Sequence, residues 1–87
     1  VPRLHDIPPG SEGIGWFCMA SAEAKKTKNG KVFYRCKAID DDFRTVWLRV
    51  WGTPQHEIKP YTLWVGKAQH DPQWGFSTSI FKLRQMA

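Results

Sequence analysis

Residues 28–37 read Lys28-Asn29-Gly30-Lys31-Val32-Phe33-Tyr34-Arg35-Cys36-Lys37, and residues 46–51 read Val46-Trp47-Leu48-Arg49-Val50-Trp51. Both runs alternate with the period of a β-strand, whose side chains point to opposite faces in turn. In the first, Val32, Tyr34, Cys36 and Ala38 share one face and Phe33, Arg35 and Lys37 the other. In the second, Val46, Leu48 and Val50 lie opposite Trp47, Arg49 and Trp51. Burying Arg49 or Lys37 without a partner is costly, so the Val/Leu/Cys/Ala face must turn to the core. Two tryptophans and a phenylalanine are then left facing water beside positive charge. Exposed aromatic clusters mark binding surfaces, and planar rings flanked by cations suit a polyanion with stackable bases. The turn before the first strand adds Lys25, Lys26, Lys28 and Lys31, with no acidic residue between positions 25 and 37.

Outward from these strands, the chain reads as one small all-β domain. Its 87 residues are near the size at which a single core suffices, and 41% hydrophobic residues indicate a folded globule. A net charge of +5 favours nucleic acid, an anionic membrane surface or an acidic protein as partner. Membrane association is not expected: no apolar run approaches the roughly 20 residues of a spanning helix, and the first residues lack the apolar core of a signal peptide. The start without Met and the plain end Arg84-Gln85-Met86-Ala87 suggest a domain excised from a larger protein. Residues 1–13, rich in Pro and Gly, read as an extended lead-in without helix. Residues 14–84 are expected to form the domain and 85–87 a tail.

The first strand is expected over residues 14–25, with Trp16, Cys18, Ala20, Ala22 and Ala24 inward. Asn29-Gly30 signals a tight hairpin turn because it supplies positive φ angles. Strand two covers 32–39, Asp40-Asp41-Asp42 ends it, and strand three covers 45–51. Thr53-Pro54 opens at most one helical turn before Pro60. Strands four and five read as 62–69 and 76–83, their inward faces left open between Leu63/Val65 and Trp64/Ala68 and between Phe76/Ile80 and Phe81/Leu83. Register across the hairpin keeps Cys18 away from Cys36, so no disulfide is expected, which fits a reducing, cytoplasmic setting. No zinc-ligand spacing exists among the cysteines and His5, His56 and His70, which read as surface residues. The aspartate triplet reads as turn chemistry, since three consecutive carboxylates on a turn cannot all converge on one ion. Ser77, Thr78 and Ser79 have no neighbouring base, so no nucleophile, metal, cofactor or small-molecule substrate is expected.

Five strands, a basic loop after a long first strand, a meander and a short link between strands three and four match the oligonucleotide/oligosaccharide-binding (OB) barrel. Lys28-Asn29-Gly30-Lys31-Val32-Phe33-Tyr34, Ala38-Ile39-Asp40-Asp41, Val46-Trp47-Leu48-Arg49-Val50-Trp51 and Leu63-Trp64-Val65-Gly66-Lys67-Ala68 carry the resemblance further. They resemble the OB domains of bacterial and phage DNA polymerase III alpha subunits and the anticodon-binding domains of class II tRNA synthetases. The resemblance implies a Greek-key barrel whose nucleic-acid face is formed by strands two and three with the loops after strands one and four. It implies a noncatalytic domain binding single-stranded DNA or RNA, with DNA favoured and a replication protein as parent. Mapped on this chain, the face comprises Lys25, Lys26, Lys28, Lys31, Phe33, Arg35, Lys37, Trp47, Arg49 and Trp51. A competing reading packs Trp47 and Trp51 beneath the opening segment or against another domain, making the chain a protein-interaction or structural β-barrel module.

Overall fold

The computed structural model of the chain describes residues 1–54 and 57–86. Among the described residues six strands, β1 (Glu12–Lys26), β2 (Val32–Ile39), β3 (Thr45–Trp51), β4 (Thr62–Asp71), β5 (Gly75–Ser79) and β6 (Leu83–Gln85), form one sheet. β1 pairs antiparallel with β2 through its second half and with β4 through its first half. β2 pairs antiparallel with β3, β3 parallel with β5, and β5 antiparallel with β4. The order β1-β2-β3-β5-β4 therefore closes on β1, a five-stranded ring with β6 added to the outer edge of β4. Closure removes the exposed ladder edges that an open sheet of this size would present.

A strand of 15 residues can serve two neighbours only by bending. The bend sits where the β1–β2 register shifts between Met19 and Ser21, leaving Ala20 unpaired in the β2 ladder. The bulge also changes which side chains face inward. Phe17 and Met19 are fully buried before it, whereas Ala22 packs on the core after it. The expected inward set Trp16, Cys18 and Ala20 is thus corrected, because period-two alternation holds only along an unbroken ladder.

β2 and β3 have no such break, and Cys36, Ala38, Leu48 and Val50 all lie inward at 0–1% exposure. β4 contributes Ala68 and Trp64, and β5 contributes Phe76, which resolves the faces left open for those strands. Both cysteines are free, Cys18 facing Ile39 and Cys36 facing Ala22 across the hairpin. Burial pushes the Cys36 thiol up to about 12.

The hairpin tip differs from a two-residue Asn-Gly turn. Gly30 has φ +81° and donates its N–H to Thr27 O at 3.0 Å, while Asn29 keeps a negative φ. Thr27 also accepts Lys31 N–H on its hydroxyl at 3.1 Å. The result is a turn closed by a left-handed glycine, the three-residue hairpin type.

The opening segment contributes to the core. A three-residue 3-10 turn, Leu4–Asp6, corrects the expectation of an extended, helix-free lead-in, and Leu4 and Ile7 are buried in the core. The segment passes so close to β1 that a Cβ at Gly15 would lie 2.8 Å from Leu4 Cα. His70 Nδ1 lies 2.6 Å from Ile7 O, with the ring stacked on Phe76 at 3.9 Å. His5 packs between Asp40 and Asp6, so both histidines are half-buried ties and not the surface residues expected. Of the helical turn expected over 53–60, Gln55 and His56 lie outside the described residues.

The strand expected over 76–83 ends at Ser79, whose hydroxyl accepts Phe81 N–H at 3.3 Å and starts a second 3-10 turn, Ile80–Lys82. β6 then crosses back onto β4 at Gly66. A Cβ there would collide with Lys82 O and come within 2.7 Å of Leu83 Cδ2. Gly66→Ala is accordingly expected to lower the urea-unfolding free energy by about 1–3 kcal/mol, as overpacking does. Unchanged stability would contradict the close approach.

Among the described residues four carboxyls lie below their ordinary values. Burial pushes Asp40 up, but N–H donation from Asp42 and Arg44, with His5 beside it, outweighs this and leaves it lowered. Asp41 is lowered chiefly by Arg3, Asp71 by the N–H groups of Trp74 and Gln73, and Glu12 by Lys67 and Gln69. Depressed folded-state values contribute stability that is present above the unfolded pKa and is lost as pH falls through the folded one. Unfolding free energy should therefore hold from neutrality to about pH 5 and drop below about pH 4. Asp40→Asn should flatten part of that drop in denaturant titrations at stepped pH.

Candidate functional site

Because β2 and β3 bury one face, their other face is fixed in space by the pairing register. Phe33 lies across from Trp51, Arg35 from Arg49, and Lys37 from Trp47. The rings and cations interleave. Phe33 and Trp51 meet at 4.9 Å between centroids with planes tilted by 41°, and Lys31 Nζ sits 4.8 Å from the Trp51 centroid. The Arg35 guanidinium lies over Trp47 at 3.8 Å. Such contacts hold the indoles upright without burying them: Trp47 is 47% exposed and Trp51 is half-buried. The opening segment, which packs on the core through Leu4 and Ile7, does not cover Trp47.

The ten residues singled out from the sequence are not all brought together. Lys25 pairs with Phe33 in the β1–β2 ladder and so shares its face, although Glu23 engages it at 3.0 Å. Lys31 joins the face through Trp51. Lys26 pairs with Val32 and points to the opposite side of the hairpin, and Lys28 sits at the tip. The face thus gathers Lys25, Lys31, Phe33, Arg35, Lys37, Trp47, Arg49 and Trp51, with Lys26 and Lys28 at its margin.

The surface continues past β3 onto elements that the alternation argument did not reach. Arg49 pairs with Ser77 and Trp51 with Ser79 on β5, and Ser77 pairs with Gln69 on β4. Trp51, Gln69, Ser77 and Ser79, with Thr78, Glu12, Lys67 and Lys82, line a shallow groove whose aromatic wall is Trp51. The β4–β5 turn adds Trp74, 66% exposed. Asp71 holds this turn by accepting the N–H groups of Gln73 at 2.7 Å and Trp74 at 2.9 Å, and Arg49 Nη2 donates to Trp74 O at 3.3 Å. One signal for Trp74 was available in the sequence: a large ring between Asp-Pro and Gly has no strand to bury it.

The aspartate triplet behaves as turn chemistry. Asp40 caps two backbone amides, while Arg3 engages Asp41 at 2.6 Å and Asp42 at 3.3 Å. One oxygen from each of the three carboxylates lies within 4.8 Å of the others, which corrects the expectation that three consecutive carboxylates on a turn cannot converge, and the Arg3 guanidinium pairs with two of them.

Among the described residues no helix is long and apolar enough to cross a membrane. No known protein family matches the chain, and no curated protein is similar to it.

The face assignment predicts a contrast in stability between adjacent positions of β3. Leu48→Ala should cost about 2–5 kcal/mol by transfer and cavity terms. Trp47→Ala should stay within about 1 kcal/mol, since it removes an exposed ring and one cation–π contact. Equal losses in chemical denaturation would mean that Trp47 is a core residue.

Proposed function

We propose that this chain is an OB-type β-barrel that binds single-stranded nucleic acid, DNA in preference to RNA, without catalysing a reaction. The ring order β1-β2-β3-β5-β4, with β3 and β5 parallel, supports the barrel reading. One observation carries the functional reading: Trp47 and Trp51 stand on the outer face of β3, each flanked by a cation and each with ring surface open to solvent. Unpaired bases stack on such rings, and every base has a π-face, so this half of the surface binds with little sequence preference. Four residues of strand separate the two indoles by about 13 Å, so they serve separate nucleotides of one bound strand.

Lys25, Lys31, Arg35, Lys37 and Arg49 face the phosphates. Each phosphate they neutralise releases condensed counterions, which makes the affinity salt-dependent. Arg49, held by the Trp74 carbonyl, also presents a planar guanidinium able to stack on a base or contact phosphate. A duplex offers no free base faces to the indoles, so single strands are preferred. Within a larger replication protein, the domain would hold template or displaced strand while other domains do chemistry.

Fluorescence anisotropy with a labelled thymidine oligonucleotide checks both contributions. The logarithm of the affinity should fall linearly with the logarithm of salt, and Trp47→Ala and Trp51→Ala should each weaken binding by about 1–3 kcal/mol while the protein stays folded. A flat salt dependence removes the phosphate contacts. Unaltered affinity in both variants removes base stacking.

A further inference from the structure

The groove beyond Trp51 differs in kind from the stacking surface beside it. Its lining combines the small side chains of Ser77, Thr78 and Ser79 with the indole of Trp51, which pairs with Ser79 across the β3–β5 ladder, and with Lys67 and Lys82. Its volume is about 240 Å³, below the 300–1,000 Å³ typical of sites that enclose a whole drug-sized ligand. It is suited to one unit of a longer ligand, and it opens onto the same face as the aromatic rows.

Its far end is preorganised. Glu12 takes Lys67 Nζ on one oxygen at 2.8 Å and Gln69 Nε2 on the other at 3.2 Å. With its amide nitrogen donating to Glu12, Gln69 keeps its carbonyl oxygen as an acceptor. Among the described residues neither that oxygen nor the Ser77 hydroxyl has a hydrogen-bond partner. Among the described residues Lys82 forms no ion pair. The groove therefore presents an aromatic wall, an amide acceptor, an adaptable hydroxyl and cationic donors, whereas the β2–β3 surface presents rings and charge alone.

Resting on the single-strand reading, we propose that this groove reads one base of the bound strand by its edge, and that guanine fits it best. Guanine combines ring and carbonyl acceptors, N7 and O6, for a lysine with N–H donors on the same base for the Gln69 carbonyl, and its bicyclic ring offers the larger stacking area to Trp51. Adenine lacks the carbonyl acceptor. Thymine and cytosine offer less ring surface and only part of the donor and acceptor set. The domain is then a largely nonspecific binder with one selective position, placed where the strand leaves β3 for β5.

The test scans a single deoxyguanosine through a thymidine oligonucleotide and compares each affinity with that of the all-thymidine strand. One position should gain roughly tenfold, the order of a well-made base-edge contact. Gln69→Ala should return that ratio to about one while leaving affinity for the all-thymidine strand nearly unchanged, and Lys82→Ala should reduce the ratio as well. Gln69 is exposed, so loss of folding does not confuse the result, and circular dichroism verifies it. Measurable binding with equal affinity for every strand overturns the base-reading groove and leaves the stacking surface standing. A preference that survives Gln69→Ala also overturns it. No binding to any strand overturns this inference together with the functional reading beneath it.

Discussion

The burial of Cys36, Ala38, Leu48 and Val50 is the constraint on which the rest of the surface depends. These four side chains fix the phase of β2 and β3, and the two-residue period then leaves no freedom for their neighbours. Phe33, Arg35, Lys37, Trp47, Arg49 and Trp51 must stand outside, in register across the β2–β3 ladder. A slip of one residue would place Arg49 in an apolar interior without a partner, at a cost that exceeds anything gained by covering two indoles. The core thus determines the outer face by exclusion, and cation–π contacts from Lys31 and Arg35 then hold the rings in place.

Ring closure extends that determination to β5 and β4. Because β3 pairs with β5 in parallel, the outward row of β3 continues through Ser77 and Ser79 to Gln69 without a change of face. Closure in turn depends on a local device: the bulge at Ala20 lets β1 turn from β4 to β2, while Gly66 lets the segment after β5 cross back and add β6 to the ring. Residues far from the face, including the Leu4 and Ile7 contacts of the opening segment, therefore contribute to its geometry through the core.

The legible parts of the sequence were those in which one physical rule acts without interference. β2 and β3 are unbroken, and their cations mark the outer side, so both faces follow from alternation, while their register is set by the pairing itself. The phase of β1 was not legible, because Trp16, Cys18 and Ala20 form as plausible an apolar row as Phe17 and Met19 and only the bulge decides between them. The 3-10 turn that divides β5 from β6 depends on a serine hydroxyl and a distant glycine. The burial of Leu4 and Ile7 was hidden by the surrounding Pro and Gly, whose local effect on helices says nothing about tertiary contacts. Of the site, the aromatic and cationic half was legible from two strands. The polar groove was not, since Glu12, Gln69, Ser77 and Lys82 come together only when the ring closes.

The indole N–H resonances of the five tryptophans provide the most direct measurement of the central claim. Titrating a short thymidine oligonucleotide into isotopically labelled protein should shift the Trp47 and Trp51 signals while Trp16 and Trp64 hold their positions. Trp64, whose Nε1–H donates to Thr62 Oγ1 at 2.8 Å against the core, serves as the internal control. Shifts confined to Trp16 and Trp64, with Trp47 and Trp51 unmoved at saturation, would contradict the account.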